Sequence, residues 1–306
     1  MRLHGLLSFP LTPFSGDEVD LAVLTEHLEQ QIEAGPSGLF VACGTGEFTA
    51  LSTEEYHDVV ATAVRVADGR LPVVAGCGGG PRTAREFAVI AAECGADGLL
   101  LLPPYLISST PGGLVDHIRY VAAATDLPIT VYQRANAILD EAAALALLDI
   151  PTVTGLKDGR GDVEAMLRLI TAIRTSGHPR AADFGFLNGL PTAELSVQAY
   201  EAIGVECYSS AVLCFAPDIA TAFQDAVRTG DAATVQLLLT EFYLPFVALR
   251  DTAPGYAVSL VKAGARLAGL AMGPVRPPLQ DVSPEHERQL ADIIARGRAA
   301  LTGPAV

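Results

Sequence analysis

Hydrophobic residues in this chain fall into two alternating kinds of stretch. Short apolar runs of four or five residues lie at 6–9, 39–42, 73–76, 98–102, 129–132, 153–157, 184–188 and 207–210. Apolar runs of this length, bounded by turn residues, predict strands buried on both faces. Between them, apolar positions return every three to four residues over 21–33, 53–67, 83–94, 113–124, 141–148, 163–174, 192–202 and 217–228. That spacing predicts helices with one face inward. Ser52-Thr53-Glu54-Glu55 and Asp162 supply amino-terminal helix signals. Strands alternating with helices imply parallel pairing through right-handed crossovers. Eight such units in about 230 residues predict an α/β fold of the (β/α)8 TIM-barrel type. Beyond residue 231 only helical patterns remain, at 232–247, 256–270 and 284–301. We therefore expect a catalytic barrel over 1–230 and a C-terminal helical layer over 231–306 packed on it.

In such a barrel the chemistry sits at the carboxyl ends of the strands. Those ends carry Thr12, the turn Gly44-Thr45-Gly46-Glu47, Tyr105, Tyr132, Lys157, Asn188, Ser209 and Ser210. Lys157 stands out because the chain has two lysines against eighteen arginines. A lysine ending a buried strand is costly as an ammonium. The same desolvation leaves a neutral, nucleophilic amine suited to Schiff-base chemistry. Tyr132 ends the preceding strand, about 4.8 Å away across a parallel ladder, where its hydroxyl is expected to shuttle protons. Glycines let backbone amides approach an anion, so Thr45 and Gly46 are expected to cradle a carboxylate. Glu47 is expected to orient that turn or cap a helix. Asn188, Ser209 and Ser210 are expected to bind the far end of a substrate, with Arg134 as its charged partner and Arg160 as a weaker candidate. Gly76-Cys-Gly-Gly-Gly80 lacks the spacing of a dinucleotide fingerprint and is expected to close one end of the barrel. Lys262, on an amphipathic helix outside the barrel, is expected to be solvated or to serve packing.

Half of the residues are hydrophobic and 18% are charged, enough for a large core. The net charge of -15 argues against nucleic acid or an anionic membrane as partner. It also means that an anionic substrate needs a locally cationic pocket. No run approaches the roughly 18 apolar residues of a membrane span. Five cysteines without a CxxC pair predict free thiols in a reducing cytoplasm. Six scattered histidines without paired ligand spacing give no support for a metal site.

The set resembles the dihydrodipicolinate synthase/N-acetylneuraminate lyase superfamily, from Gly5-Leu-Leu-Ser-Phe-Pro-Leu-Thr-Pro13 to Val275-Arg-Pro-Pro-Leu279. The motifs carrying the finer likeness are Gly44-Thr-Gly-Glu-Phe48, Leu102-Pro-Pro-Tyr-Leu106, Val131-Tyr-Gln-Arg134, Gly155-Leu-Lys-Asp-Gly159, Asn188-Gly-Leu-Pro-Thr192 and Tyr208-Ser-Ser-Ala211. They are similar to the branch that dehydrates and decarboxylates 5-dehydro-4-deoxyglucarate. The resemblance implies a Schiff base on Lys157, proton transfer by Tyr132, a carboxylate held by Thr45 and Gly46, no added cofactor, a small sugar acid as substrate, and a homotetramer. The synthase turn has two threonines where this chain has only Thr45, and the synthase's second tyrosine is replaced by Leu106. The resemblance therefore implies the dehydratase rather than the synthase. A pyruvate-dependent aldolase and a non-catalytic sugar-acid-binding barrel are the alternatives.

Overall fold

A computed structural model describes residues 3–104 and 106–303. The expectation placed on Tyr105 lies outside the described residues. Eight parallel strands close into a barrel in chain order: β1 (Gly5–Ser8), β2 (Leu39–Val41), β3 (Val73–Cys77), β4 (Gly98–Leu101), β5 (Ile129–Gln133), β6 (Val153–Asp158), β7 (Gly185–Asn188) and β8 (Cys207–Ser210). β1 pairs with both β2 and β8, which closes the ring and leaves no open edge. Tyr132 on β5 faces Lys157 on β6, and Asp158 faces Asn188 on β7.

The helices follow the predicted order: α1 (Leu21–Glu33), α2 (Thr53–Ala67), α3 (Pro81–Glu93), α4 (Pro111–Ala122), α5 (Glu141–Ala146), α6 (Val163–Thr175), α7 (Val197–Ala202) and α8 (Pro217–Thr229). Ser52 and Glu55 form a capping box at α2, and the Asp162 side chain caps α6. α3 and α4 begin two residues earlier than predicted because a proline opens each, where its missing N–H costs nothing. The helix predicted over 192–202 is broken. Thr192 adopts a left-handed backbone, φ 56°, and a 3-10 turn over Ala193–Leu195 precedes α7. A hairpin of Phe14–Ser15 with Glu18–Val19 has no periodicity to announce it, being two residues a side.

Three apolar clusters organise the molecule. Leu7, Phe9, Phe40, Cys43, Val74, Leu100, Tyr132, Leu187 and Cys207 fill the barrel interior. A larger shell joins the strands to their surrounding helices. The third cluster joins α8 and the end of β8 to α9 (Ala232–Arg250), α10 (Tyr256–Leu267) and α11 (Pro284–Thr302). α9, 19 residues long with mean hydropathy 1.5, does reach membrane-spanning length and composition. That corrects the expectation drawn from the sequence. Its apolar face, Val235, Leu238, Phe242, Phe246 and Leu249, is buried in the third cluster, and most of the rest of the helix is not buried.

Candidate functional site

Lys157 is 5% exposed and ends at the barrel mouth. Its Nζ lies 3.9 Å from the centre of the Phe9 ring and 4.5 Å from that of Tyr132. No carboxylate among the described residues hydrogen-bonds to it. Burial, with the positive charge of Arg134 acting in the same direction, lowers its pKa from 10.5 to about 7. The Cys43 thiol close by, itself pushed up to about 12 by burial, acts in the opposite direction and offsets only part of the shift.

Two glycines make room for this arrangement. A Cβ on Gly189 would sit 2.2 Å from Lys157 Cε, and one on Gly159 would sit 2.6 Å from the Tyr132 hydroxyl. The Tyr132 hydroxyl donates to the Gly189 carbonyl at 3.0 Å, which fixes the ring beside the lysine. Burial raises the Tyr132 pKa, with the Arg134 charge opposing, so the phenol keeps its proton. Asp158, next to the lysine, turns away into the shell. Its carboxylate receives Gln133 Nε2 at 2.8 Å, the Tyr200 hydroxyl and the amides of Arg160 and Gly161. It braces the β5–β6 pair from behind.

A cavity of about 620 Å³ opens above Lys157. Tyr132, Thr45, Ser209 and Arg134 line it together with Lys157, as expected from their strand ends. Gly79 also lines it, which places the glycine-rich loop after β3 at the mouth. Three expected contacts are not at the wall. Ser210 is fully buried, its hydroxyl donating to Glu194 Oε1 at 2.5 Å. Asn188 spends its amide on Ser196 Oγ at 2.9 Å and the Ala193 carbonyl at 3.3 Å, so it holds the following turn. Gly46 is buried beneath Thr45, and its carbonyl accepts the Thr12 hydroxyl at 2.8 Å. The amides of Thr45 and Gly46 donate to no acceptor among the described residues.

Arg250, which stands at no strand end, lines the same cavity from the end of α9. Its signal lay outside the barrel, on a helix whose placement no periodicity reveals. Among the lining residues the charged side chains are Lys157, Arg134 and Arg250, all cationic. In a chain of net charge -15 this is a local inversion of sign, and it favours an anionic ligand.

Glu47 and Lys262 turn out to be partners. Lys262 is fully buried, which corrects the solvated alternative, and its Nζ meets Glu47 Oε1 at 2.8 Å. Glu47 Oε2 accepts the Arg276 amide at 2.9 Å. Glu47 thus ties the Thr45 turn to the C-terminal layer, while its side chain caps no helix.

A closed (β/α)8 barrel with one unpaired buried lysine at its carboxyl end defines a class equipped to condense with carbonyl compounds. Residues 2–296 match the model of the Dihydrodipicolinate synthetase family, and the chain belongs to that family. It is 50% identical over 298 residues to a Streptomyces avermitilis protein named probable 5-dehydro-4-deoxyglucarate dehydratase 1, covering 97% of this chain and 94% of that one. It is 51% identical over 298 residues to a Streptomyces griseus protein named probable 5-dehydro-4-deoxyglucarate dehydratase, covering 97% and 92%. Among solved structures, a dihydrodipicolinate synthase from Bacillus clausii superposes with a TM-score of 0.86 at 25% identity, covering 96% of this chain and 97% of that one.

Proposed function

We propose that this chain converts 5-dehydro-4-deoxyglucarate to 2,5-dioxopentanoate, water and carbon dioxide through an imine on Lys157. The observation that carries the reading is the unpaired buried lysine, with a pKa of about 7, in a cavity whose charged lining is wholly cationic. The names of relatives at about half identity agree with it. Neutral Lys157 attacks the substrate ketone, and Tyr132 hands protons to and from the carbinolamine oxygen as water leaves. Thr45, through its hydroxyl and free amide, holds the adjacent carboxylate. The protonated imine acidifies the neighbouring methylene, which loses a proton to give an enamine. The enamine electrons expel the β-hydroxyl as water and leave a conjugated iminium.

That iminium is the electron sink for the second step. The electron pair of the bond to the distal carboxylate shifts through the conjugated carbons to nitrogen, and carbon dioxide departs. Two protonations on carbon and hydrolysis then release the aldehyde product and Lys157. This chemistry needs no added cofactor. Ser209 and Arg134 remain as contacts for the far half of the substrate, whereas Ser210 and Asn188 act by bracing the walls.

We place the enzyme in the cytoplasm as a homotetramer. Its five cysteines are free thiols, which suits a reducing compartment. Leu106, 84% exposed beside the mouth and next to exposed Ile107, offers an apolar contact for a neighbouring subunit.

The test is borohydride reduction in the presence of substrate, alongside an assay for carbon dioxide and aldehyde. A stable adduct at Lys157 with carbon dioxide release is expected. Pyruvate as the product shifts the reading to an aldolase, and turnover without any trappable adduct overturns the mechanism.

A further inference from the structure

Arg250 sits at the last turn of α9 with its side chain 15% exposed. Its guanidinium is held from two sides. Nη1 donates to Thr192 Oγ1 at 2.8 Å and to the Pro191 carbonyl at 3.0 Å, and Nε donates to Asp251 at 2.8 Å. Nη2 has no acceptor among the described residues, and the side chain lines the cavity. Asp251 does not line it, and its side chain is 60% exposed, so water screens its charge.

The anchoring loop also sets the reach of this cation. Thr192 follows Gly189 by three residues, and Gly189 is the glycine wrapped around Lys157 Cε. Three peptide units span at most about 11 Å. Lys157 and Arg250 are therefore tethered to the two ends of one short segment and face one cavity. A six-carbon dicarboxylate attached to Lys157 at its ketone has its second carboxylate four bonds away along the chain, a distance that fits within that span.

We infer that Arg250 is a binding residue for the distal carboxylate of the substrate, supplying Nη2 as a fixed donor in the cavity that the more exposed Arg134 also lines. This rests on the dicarboxylate reading of the site given above. A guanidinium already locked by Thr192 and Pro191 loses little entropy on binding, so its contact selects for charge at low cost in ordering. The carboxylate it holds leaves as neutral carbon dioxide. Its attraction is therefore greatest in the ground state and fades in the decarboxylation step, and loss of Arg250 acts on KM more than on kcat.

The experiment uses two ligands that form the imine but carry no hydroxyl to eliminate: 2-oxoadipate, with the distal carboxylate, and 2-oxohexanoate, with a methyl group in its place. Half-saturation of borohydride trapping is measured for each. The unmodified enzyme is expected to favour 2-oxoadipate by about tenfold or more, the scale of a charge-assisted hydrogen bond. Arg250→Gln is expected to bring the ratio towards one, and Arg250→Lys to restore part of it. No preference in the unmodified enzyme overturns the inference without any variant. So does a ratio unchanged by Arg250→Gln, or an equal weakening of both ligands, which marks Arg250 as a loop anchor only. Failure of the proposed reaction has a different signature: no carbon dioxide from 5-dehydro-4-deoxyglucarate while the trapping preference for the dicarboxylate persists.

Discussion

The two lysines of this chain are both buried, yet they sit in opposite electrostatic settings. Lys262 lies between the barrel and the C-terminal layer, fully covered, with Glu47 at 2.8 Å and the Phe14 ring 4.1 Å away. Burial lowers its pKa, and the Glu47 carboxylate opposes the shift by charge and hydrogen bond. Arg276 joins the same cluster, stacked over Phe14 and paired with Glu55. Lys157 also lies over aromatic rings, but among the described residues it has no carboxylate partner, and its pKa falls to about 7. Burial by itself therefore does not make a nucleophile. A partnered lysine stays an ammonium and fastens two layers together; an unpartnered one gives up its proton near neutral pH.

The largest effects are expected at Lys157. Lys157→Ala is expected to abolish the borohydride adduct and to lower turnover at least about a thousandfold. Lys157→Met is expected to gain stability at pH 7 on the order of 4 kcal/mol, because it removes the cost of keeping an amine there. The sign follows from proton binding. Between pH 7 and 10.5 the unfolded chain holds the lysine proton and the folded chain does not, so stability of the unmodified protein rises with pH across that window. Melting curves at pH 7 and pH 9.5 should show the advantage of Lys157→Met shrinking at the higher pH. An advantage independent of pH would leave the pKa argument without support.

Lys262 should respond in the opposite sense. Lys262→Met strips the buried Glu47 carboxylate of its ion-pair partner, leaving only Arg276 nearby, and is expected to destabilise by about 3–5 kcal/mol in urea unfolding. Adding Glu47→Gln should recover much of that loss, since the uncompensated charge is then gone. A single variant as stable as the parent would mean that the pair contributes nothing to joining the layers.

Tyr132→Phe keeps the ring against Lys157 and removes only the hydroxyl bonded to Gly189. Turnover is expected to fall about a hundredfold while the adduct still forms slowly, as for loss of one proton shuttle. The smallest effect concerns pH. kcat/KM should rise with unit slope up to pH about 7, as Lys157 loses its proton, and then level off. Arg134→Gln removes a positive charge that lowers the Lys157 pKa, so the rising limb should move to higher pH by about half a unit. A shift towards lower pH would contradict the assigned sign.

Legibility in the sequence followed the range of the interactions. All eight barrel strands were readable because a strand buried on both faces has to be apolar along its length. Lys157 was readable because an ionisable residue interrupts such a run at its end. Ser210 and Asn188 occupy strand ends as expected, yet their side chains turn to Glu194 and Ser196, residues whose proximity depends on the broken turn at 192–196. Arg250 was invisible for the reverse reason. It stands on a helix outside the barrel, and only packing of the end of α9 against α10 and α11 brings it to the mouth.

The alternation of strand and helix, the closed barrel and the lysine at the end of its sixth strand are written into the amino-acid order, since these rest on local periodicity and on the cost of a charge in an apolar run. Tertiary structure alone decided which lysine kept its proton. That outcome depends on whether a carboxylate from a distant segment arrives within about 3 Å, and Glu47 reaches Lys262 across 215 residues of chain.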